Sequence, residues 1–449
     1  MSKHPIQLSD HFTYPRLLRF VLPCIGTMLF TSIYGIVDGL CVSNFVGKTA
    51  FAAVNLIMPL PQLLATVGFM LGTGGSAIVG ITLGEGDQQK ADRYFTMFLL
   101  AAAVIVSVLA VLGVLFLEPI ALLLGAKGEL LDYALRYGRI LMFSLPTFAL
   151  QNMFQSFFVT AEKPNLGFYF TLGAGCTNMV LDLLLVGVWG WGVEGAAIAT
   201  FISQLVGGVL PVLYFLDRNN SSRLHLCPTG FHGRVLLDAC INGSSELMTN
   251  LSMSLVNILY NFQLLRLIGE DGVAAFGVIM YASFLFVAVF VGYAFGSSPI
   301  VSFHYGARNL KEVHNLYSKS LRLIGVVAVT LTGASMAIIP HVARFFVGYD
   351  AALLALTSHA FRLYAISFLI LGFNIYASSF FTALGDGVTS ALISFLRTLV
   401  FQVAAVLILP ALLGTDGIWL AVTAAELAAL GVSTGMFIVK DKAFHYRTP

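Results

Sequence analysis

The chain has 449 residues, of which 58% are hydrophobic and only 10% are charged, and its mean hydropathy is +0.88. A water-soluble domain carries about 25% charged residues, because its surface must stay hydrated. The composition therefore excludes a soluble globular domain and predicts an integral membrane protein. The net charge of +2 gives no electrostatic reason to expect nucleic acid or an acidic protein as a partner.

The apolar runs of the chain are long enough to cross a bilayer. A hydrocarbon core about 30 Å thick requires about 20 apolar residues per helix. Runs of that kind, separated by polar, glycine or proline breaks, lie at 17–45, 51–83, 95–117, 133–160, 165–188, 192–216, 235–267, 273–305, 317–340, 352–383, 389–413 and 417–439. We therefore predict an all-α fold with twelve transmembrane helices.

The distribution of Lys and Arg predicts the orientation of these helices. They are more than twice as frequent in the segments on the side of the two termini as on the opposite side. Because cytoplasmic loops carry the excess of basic residues, we expect both termini in the cytoplasm. The predicted location is a cell inner membrane or plasma membrane, crossed many times.

The two halves of the sequence resemble each other. A shift of 222 residues places "AAVNLIM" over "AAFGVIM", "GSAIVGITLG" over "SSPIVSFHYG" and "GVEGAAIA" over "GTDGIWLA". We predict an N-lobe at 1–216, a cytoplasmic linker at 217–234 and a C-lobe at 235–449. Six spans per half make the bundles parallel, related by a pseudo-two-fold axis along the membrane normal. Such an architecture is typical of transporters, with a central site between the lobes.

Four carboxylates fall inside the predicted spans: Asp38, Asp182, Glu246 and Glu426. A charge at the bilayer centre costs about 2.5–3.5 kcal/mol on insertion scales. An acid at this depth therefore faces a cavity, is paired, or is protonated. Because of this cost, a functional role is the favoured interpretation of Asp38 and Asp182.

Several polar residues accompany the two aspartates at helical spacing. Asn178 and Asp182 are four residues apart and share a helix face, as do Thr200 and Ser203, which are three apart. With Asp38, these side chains provide the oxygen ligands that a hard cation such as Na⁺ prefers. The alternative is that each polar group only hydrogen-bonds a neighbouring helix, and for either hydroxyl alone this is the commoner case.

Other residues in the spans have two interpretations each. Glu246 lies about one third into its run. One interpretation is a functional group that gates the transporter or contacts substrate. The other is a structural group, either a partner for a nearby basic residue or a carboxylate at the start of a helix. Arg397 and Glu426 lie in the same half and are expected to form a salt bridge. Pro23 removes a backbone hydrogen bond from the first helix, which predicts either a hinge or a fixed kink.

Three stretches together resemble the multidrug and toxic compound extrusion (MATE) family of transporters. They are "IYGIVDGLCVSNFVG", "TNMVLDLLLVGVWGWGVEGAAIATFISQ" and "GSSELMTNLSMSLVNILYNFQLL", and the last is most similar to the MepA-like and DinF-like bacterial branches. The resemblance implies a cation site in the N-lobe, formed by Asp38, Asn178, Asp182 and Thr200, and a bend at Pro23. NorM-like members carry an acid in the tenth helix, whereas "YAISFLILGFNIYASSFFTAL" has none.

The resemblance implies an antiporter that exports amphipathic or cationic organic compounds by alternating access, driven by H⁺ or Na⁺. Glu246, Tyr34 and Ser203 are further candidates for substrate contact or gating. We expect a monomer in the lipid bilayer, with a small organic substrate and no cofactor other than the coupling ion. One alternative is a flippase for lipid-linked saccharides, and a more distant one is a membrane-embedded enzyme using Asp38 and Asp182; an enzyme is not expected.

Overall fold

The computed structural model describes residues 6–447, apart from the side chains of residues 39, 40, 42–44 and 48. This part of the chain is helical and contains no β-strand. We call the first set of helices the N-lobe: α1 Tyr14–Phe45, α2 Lys48–Ile57, α3 Pro59–Gly84, α4 Gln88–Leu123, α5 Glu129–Thr160, α6 Pro164–Leu181, a π-helical segment Asp182–Val188, and α7 Gly192–Leu216. The second set is the C-lobe: α8 Gly233–Leu267, α9 Glu270–Gly306, α10 Leu310–Val347, α11 Ala351–Ala365, α12 Phe368–Ala383, α13 Gly387–Phe395, a π-helical segment Leu396–Val400, α14 Phe401–Leu413, and α15 Thr415–Phe444.

The helices account for the twelve predicted spans, six in each lobe. Within residues 6–447, nine helical stretches are long and apolar enough to cross a membrane, and α11 with α12 forms a tenth that bends by 46°. α5 and α8 are more polar, but they contain 32 and 35 residues. At 1.5 Å per residue each rises about 50 Å, which exceeds the thickness of a bilayer core. The all-α transmembrane fold is confirmed.

The outer surface is apolar, as a lipid-facing surface must be. On α4, the side chains of Val104, Val111 and Leu115 are 63%, 61% and 67% exposed. A soluble monomer rarely exposes a contiguous apolar patch of more than a few hundred Å². These side chains are therefore solvated by lipid tails.

Proline and π-helical turns interrupt several runs that the sequence presents as continuous. The run at 51–83 divides at Met58 into α2 and α3, and α3 begins with Pro59. Proline is favoured at the first helical position, because its missing N–H would have no partner there. Each lobe also contains one π-helical segment, at 182–188 and at 396–400. Widened turns of this kind are frequent at functional sites.

The two lobes meet along a seam formed by α1, α3, α8 and α9. We call the face of the bundle where α1 begins and α15 ends the terminal side. A Cβ at Gly74 would collide with the Ala239 carbonyl, and one at Gly243 with the Met70 carbonyl. Glycine is needed at these positions because the helix backbones touch.

The same close approach occurs nearer the terminal side, at the ends of α3 and α9. A Cβ at Gly84 would collide with the Phe303 carbonyl, and one at Gly306 with the Ile81 carbonyl. These backbone contacts lie in the halves of α3, α8 and α9 closest to the terminal side. The seam is therefore closed on that side.

Candidate coupling site and substrate cavity

Asp38 and Asp182 lie together inside the N-lobe. The Asp38 carboxyl on α1 lies next to the Asp182 carboxyl and the Asn178 side chain. Asp182 is 0% exposed and Asn178 is 2% exposed. The structure thus brings together three of the four residues that the sequence assigned to a cation site.

The π-helical segment determines where the Asp182 side chain lies. α6 ends at Leu181, and the wider turns begin at Asp182, whose own N–H donates to the Asn178 carbonyl. The two residues therefore remain on one helix face, as their spacing predicted. Both carboxylate oxygens of Asp182 and the Oδ1 of Asn178 are buried without a hydrogen-bond partner in the described part of the chain.

The two hydroxyl candidates on α7 differ in their hydrogen bonding. Ser203 donates its hydroxyl to the Thr200 carbonyl at 2.8 Å, so its bond stays within α7 and does not reach a neighbouring helix. Thr200 lies on the helix that packs against the π-helical segment, and its Oγ1 is buried with no partner among the residues described. Thr200 therefore has a free oxygen on the helix that packs against the segment carrying Asp182.

The basic side chains that the structure describes leave the two aspartates without an ion pair. Among residues 6–447, Lys48 aside because its side chain is not described, no Lys, Arg or His forms an ion pair with Asp38 or Asp182. Two ionised carboxylates about 4 Å apart repel by about 4 kcal/mol at an effective dielectric constant of about 20. Adjacent carboxylates in such a site therefore share a proton or bind a cation.

The donor set fits a hard monovalent cation better than a transition metal. The described residues contain no cluster of three or more His, Cys, Asp or Glu side chains that could hold a metal ion. Two carboxylates, one amide oxygen and one hydroxyl oxygen instead match the oxygen ligands of Na⁺ or the acceptors of a shared proton.

A narrow cavity lies between α1, α5, α6 and α7 of the N-lobe and α9 of the C-lobe. Its walls include aromatic rings from α5, α6 and α9, at Phe154, Phe158, Phe170 and Phe295. Its free volume is about 20 Å³, which is room for one or two water molecules. An organic substrate therefore requires the walls to move apart.

Two glutamines on α5 provide polar groups of this cavity that have no partner among the described residues, and sequence reasoning missed them. The Oε1 atoms of Gln151 and Gln155 are buried with no hydrogen-bond partner in residues 6–447. Tyr34 connects the cavity to the acidic pair, because its hydroxyl lies beside the Gln151 amide and near Asp38. The four-residue spacing of the glutamines in "FALQNMFQSFF" is the same pattern that singled out Asn178 and Asp182, and it could have found them.

Glu246 lies at the seam between the lobes rather than in the N-lobe site. It lines a small cavity with hydroxyl groups from both lobes, at Thr73, Ser76, Ser156, Ser298, Ser379 and Thr382. Since α8 begins at Gly233, Glu246 is well inside the helix, and the helix-start interpretation is wrong. Its carboxylate forms no ion pair in the described part of the chain.

The predicted salt bridge between Arg397 and Glu426 is present in the C-lobe. The Arg397 Nε donates to both Glu426 oxygens, at 2.8 and 3.1 Å. The Asn374 amide donates to Glu426 Oε2 at 2.7 Å and accepts from Ser433 at 2.9 Å. Every member of this network is buried or nearly so, which makes it a structural element of the C-lobe.

Pro23 lies within an unbroken α1, about 22 Å before Asp38 at 1.5 Å per residue. Its ring nitrogen cannot donate to the carbonyl four residues earlier, so α1 lacks one hydrogen bond there. Thr27 donates its hydroxyl to the Pro23 carbonyl at 2.9 Å. The helix is therefore weakened at this turn without being interrupted.

Comparison with known proteins identifies the family. The MatE family model matches the chain twice, at residues 23–184 and 247–408, which confirms the internal repeat. The multidrug export protein MepA of Staphylococcus saprophyticus is 22% identical over 431 residues, covering 95% of this chain and 94% of MepA.

Solved structures agree with this assignment. A MATE crystal structure in complex with MaL6 aligns with a TM-score of 0.90 at 23% identity, covering 96% of each chain. The outward-facing conformation of a multidrug resistance MATE transporter of the MOP superfamily aligns with a TM-score of 0.89 at 22% identity, again covering 96% of each chain. Because one family model accounts for most of both lobes, the chain belongs to the MATE family of multidrug efflux transporters.

Proposed function

We propose that the protein is an antiporter that exports amphipathic or cationic organic compounds in exchange for H⁺ or Na⁺, by alternating access between its lobes. The observation that carries this proposal is the buried pair of Asp38 and Asp182, which forms no ion pair with any basic side chain that the structure describes. A buried acidic pair of this kind changes its protonation or cation occupancy when the membrane gradient changes.

The acidic pair and the cavity are close enough to influence each other. Tyr34 lies beside Gln151 in the cavity and near Asp38 in the pair. Neutralising the pair by a proton or Na⁺ changes the field at Tyr34 and removes the repulsion between α1 and the π-helical segment. This rearrangement, with α1 bending at its weakened turn near Pro23, releases substrate from the cavity.

The lining of the N-lobe cavity supports aromatic and cationic substrates. Its aromatic rings offer π-faces, which attract cations within about 6 Å. The free carbonyl oxygens of Gln151 and Gln155 accept hydrogen bonds from substrate N–H or O–H groups. Because the cavity has room for no more than one or two water molecules in this conformation, the flexible Met28 and the phenylalanine rings of the lining have to move to admit a substrate.

The closed terminal side supports an outward-open state. The excess of Lys and Arg on that side is what cytoplasmic segments carry, so both termini are in the cytoplasm. A seam closed at the cytoplasm leaves the opposite side free to release substrate. We include in the proposal a monomer in a plasma or cell inner membrane, with no cofactor besides the coupling ion.

Transport by the purified protein in liposomes tests the proposal. Efflux of a fluorescent cationic dye is measured with Na⁺ and pH gradients imposed separately, which also identifies the coupling ion. One proton moving through 100 mV supplies about 2.3 kcal/mol, enough for a roughly fiftyfold substrate gradient. Asp38→Asn and Asp182→Asn are each expected to abolish gradient-driven efflux.

Asp132→Asn is the matched control, since this aspartate on α5 is 55% exposed and pairs with Arg136 at the surface. It should transport like the unmodified protein. Gradient-driven efflux in folded Asp38→Asn and Asp182→Asn variants that equals the control would refute the assignment. Movement of a lipid-linked saccharide without dye efflux would support the flippase alternative instead.

A further inference from the structure

A second, wider cavity lies between α4 and α5, away from the coupling site and the seam. Its free volume is about 400 Å³, and it shares no lining residue with the substrate cavity. Its lining includes Leu115 and Leu122, whose side chains are 67% and 48% exposed. The cavity therefore opens onto the lipid-facing surface of the N-lobe. Two charged side chains, Glu118 and Arg139, complete the otherwise apolar lining.

These two charged residues lie at the same depth in the membrane. Residues 94–117 of α4 and residues 140–160 of α5 contain no Asp, Glu, Lys or Arg. At 1.5 Å per residue, each uncharged stretch rises about 30–36 Å, which is the thickness of a bilayer core. Both stretches extend from the terminal side, so Glu118 and Arg139 lie at the opposite boundary of the hydrocarbon, at the level of the lipid headgroups.

The two charges share a cavity without neutralising each other. Glu118 and Arg139 form no ion pair with each other, nor with any other side chain that the structure describes. Both side chains are exposed. A molecule that carries one positive and one negative group is therefore complementary to this cavity.

Pro119 adds a further polar group to the lining. Its ring nitrogen cannot donate to the Leu115 carbonyl four residues earlier, so this carbonyl lacks its helical donor. Leu115 and Pro119 both line the cavity. The Glu118 carboxylate and the Leu115 carbonyl are acceptors, whereas the Arg139 guanidinium is a planar fork of N–H donors. The cavity thus offers acceptors to a cationic donor group and donors to an oxyanion.

We propose that this cavity binds the headgroup of a phospholipid of the phosphatidylethanolamine class, in the leaflet opposite the terminal side. The Arg139 guanidinium donates to the phosphate oxygens, which match its fork in a bidentate manner. The Glu118 carboxylate and the Leu115 carbonyl accept from the primary ammonium. The acyl chains lie along the exposed apolar face of α4, at Val111 and Leu115. This site depends on neither the transported compound nor the coupling ion, so it is independent of the proposed function.

Other common headgroups match only part of the cavity. Phosphatidylcholine has the phosphate, but its quaternary ammonium has no N–H to donate to Glu118. Phosphatidylglycerol has the phosphate and hydroxyl donors, but it brings no positive charge to the carboxylate, and bonds between ionised groups are about twice as strong as neutral ones. Because all three lipids contain the phosphate, a difference between them reports on Glu118, whereas a loss common to all three reports on Arg139.

Native mass spectrometry of the delipidated full chain tests the site. The probes are dioleoyl phosphatidylethanolamine, phosphatidylcholine and phosphatidylglycerol, and the affinity of the first bound lipid is measured for each. The unmodified protein should bind phosphatidylethanolamine about tenfold more tightly than the other two, the size expected for one bond to a charged group. Glu118→Gln should reduce this affinity to that of phosphatidylcholine, which itself should not change. Arg139→Gln should weaken all three lipids about tenfold.

Two matched variants control for the loss of an exposed charge on the same side of the membrane. Glu129 in the first turn of α5 and Arg266 in the last turn of α8 are exposed and do not line the cavity. Glu129→Gln and Arg266→Gln should keep the lipid preference of the unmodified protein. Melting temperatures in phosphatidylcholine nanodiscs should be equal for all five proteins, which separates lipid binding from an effect on folding.

The outcomes decide the proposal in either direction. Loss of the preference in both cavity variants, with its retention in both controls, supports the site. Equal affinities of the unmodified protein for the three lipids would overturn it, as would tighter binding of phosphatidylglycerol than of phosphatidylethanolamine. A preference for phosphatidylethanolamine that survives both Glu118→Gln and Arg139→Gln would also overturn it, because the headgroup would then bind elsewhere.

Discussion

The buried ion pair in the C-lobe permits a quantitative prediction. In Arg397→Met, Glu426 loses the Nε donor that lies 2.8 and 3.1 Å from its two oxygens. The Glu426 side chain is 2% exposed, so water cannot replace the arginine. Among the described residues, the one side-chain donor that remains for its carboxylate is the Asn374 amide at 2.7 Å.

The expected cost follows from the uncompensated charge. Removing one partner of a buried ion pair destabilises a protein by about 3–5 kcal/mol. Two lost bonds to a charged group, worth about 1.5–3 kcal/mol each, give a loss of the same size. In the double variant Arg397→Met/Glu426→Gln no buried charge remains, and most of the loss should be recovered.

Unfolding in mixed micelles provides the assay. The free energy of unfolding is measured by titrating detergent-solubilised protein with dodecyl sulfate, for the unmodified protein, both single variants and the double variant. A loss below about 1 kcal/mol in Arg397→Met would refute the assignment of a buried, structurally required pair. Additive losses in the double variant would equally refute it, because neutral partners should not repeat the penalty.

Three further predictions concern the seam, the terminal side and the cavity. Gly243→Val should block closure of the seam, because its Cβ would collide with the α3 backbone. The yield of chemical cross-links between the two lobes on the terminal side should therefore fall. Gly277→Val, which has open space around its Cβ, is the control and should leave this yield unchanged. Burial raises the pKa of Asp386, but hydrogen bonds from Lys440 and a threonine outweigh this, so the pKa lies below its usual value. The ionised Asp386 therefore stabilises the protein above about pH 4, and this stabilisation is lost as the pH falls through the lowered pKa. The drop in melting temperature on acidification should be smaller in Asp386→Asn. An equal drop in both proteins would contradict the assignment of a stabilising Asp386–Lys440 pair. Gln155→Leu should weaken the binding of substrates that carry N–H or O–H donors about five- to hundredfold. Displacement of a bound dye measures this affinity. An equal loss for substrates without such donors would contradict a hydrogen-bonding role of Gln155.

The sequence by itself determined the solvent, the number of spans and the repeat. Burying so many apolar residues requires a bilayer, and a bilayer requires helices whose backbone hydrogen bonds are all internal. The cost of an acid in the membrane singled out Asp38, Asp182 and the Arg397–Glu426 pair without any knowledge of contacts. These properties depend on local composition and spacing, which a sequence contains directly.

Only the tertiary structure decided which polar groups meet. Helical periodicity places Asn178 and Asp182 on one face, but it cannot say that this face turns towards Asp38 on α1. It also cannot show that the Ser203 hydroxyl donates to a carbonyl of its own helix, while the Thr200 hydroxyl has no partner among the described residues. Contacts between helices depend on their rotation and crossing angle, which are set by close packing over the whole seam rather than by any one segment.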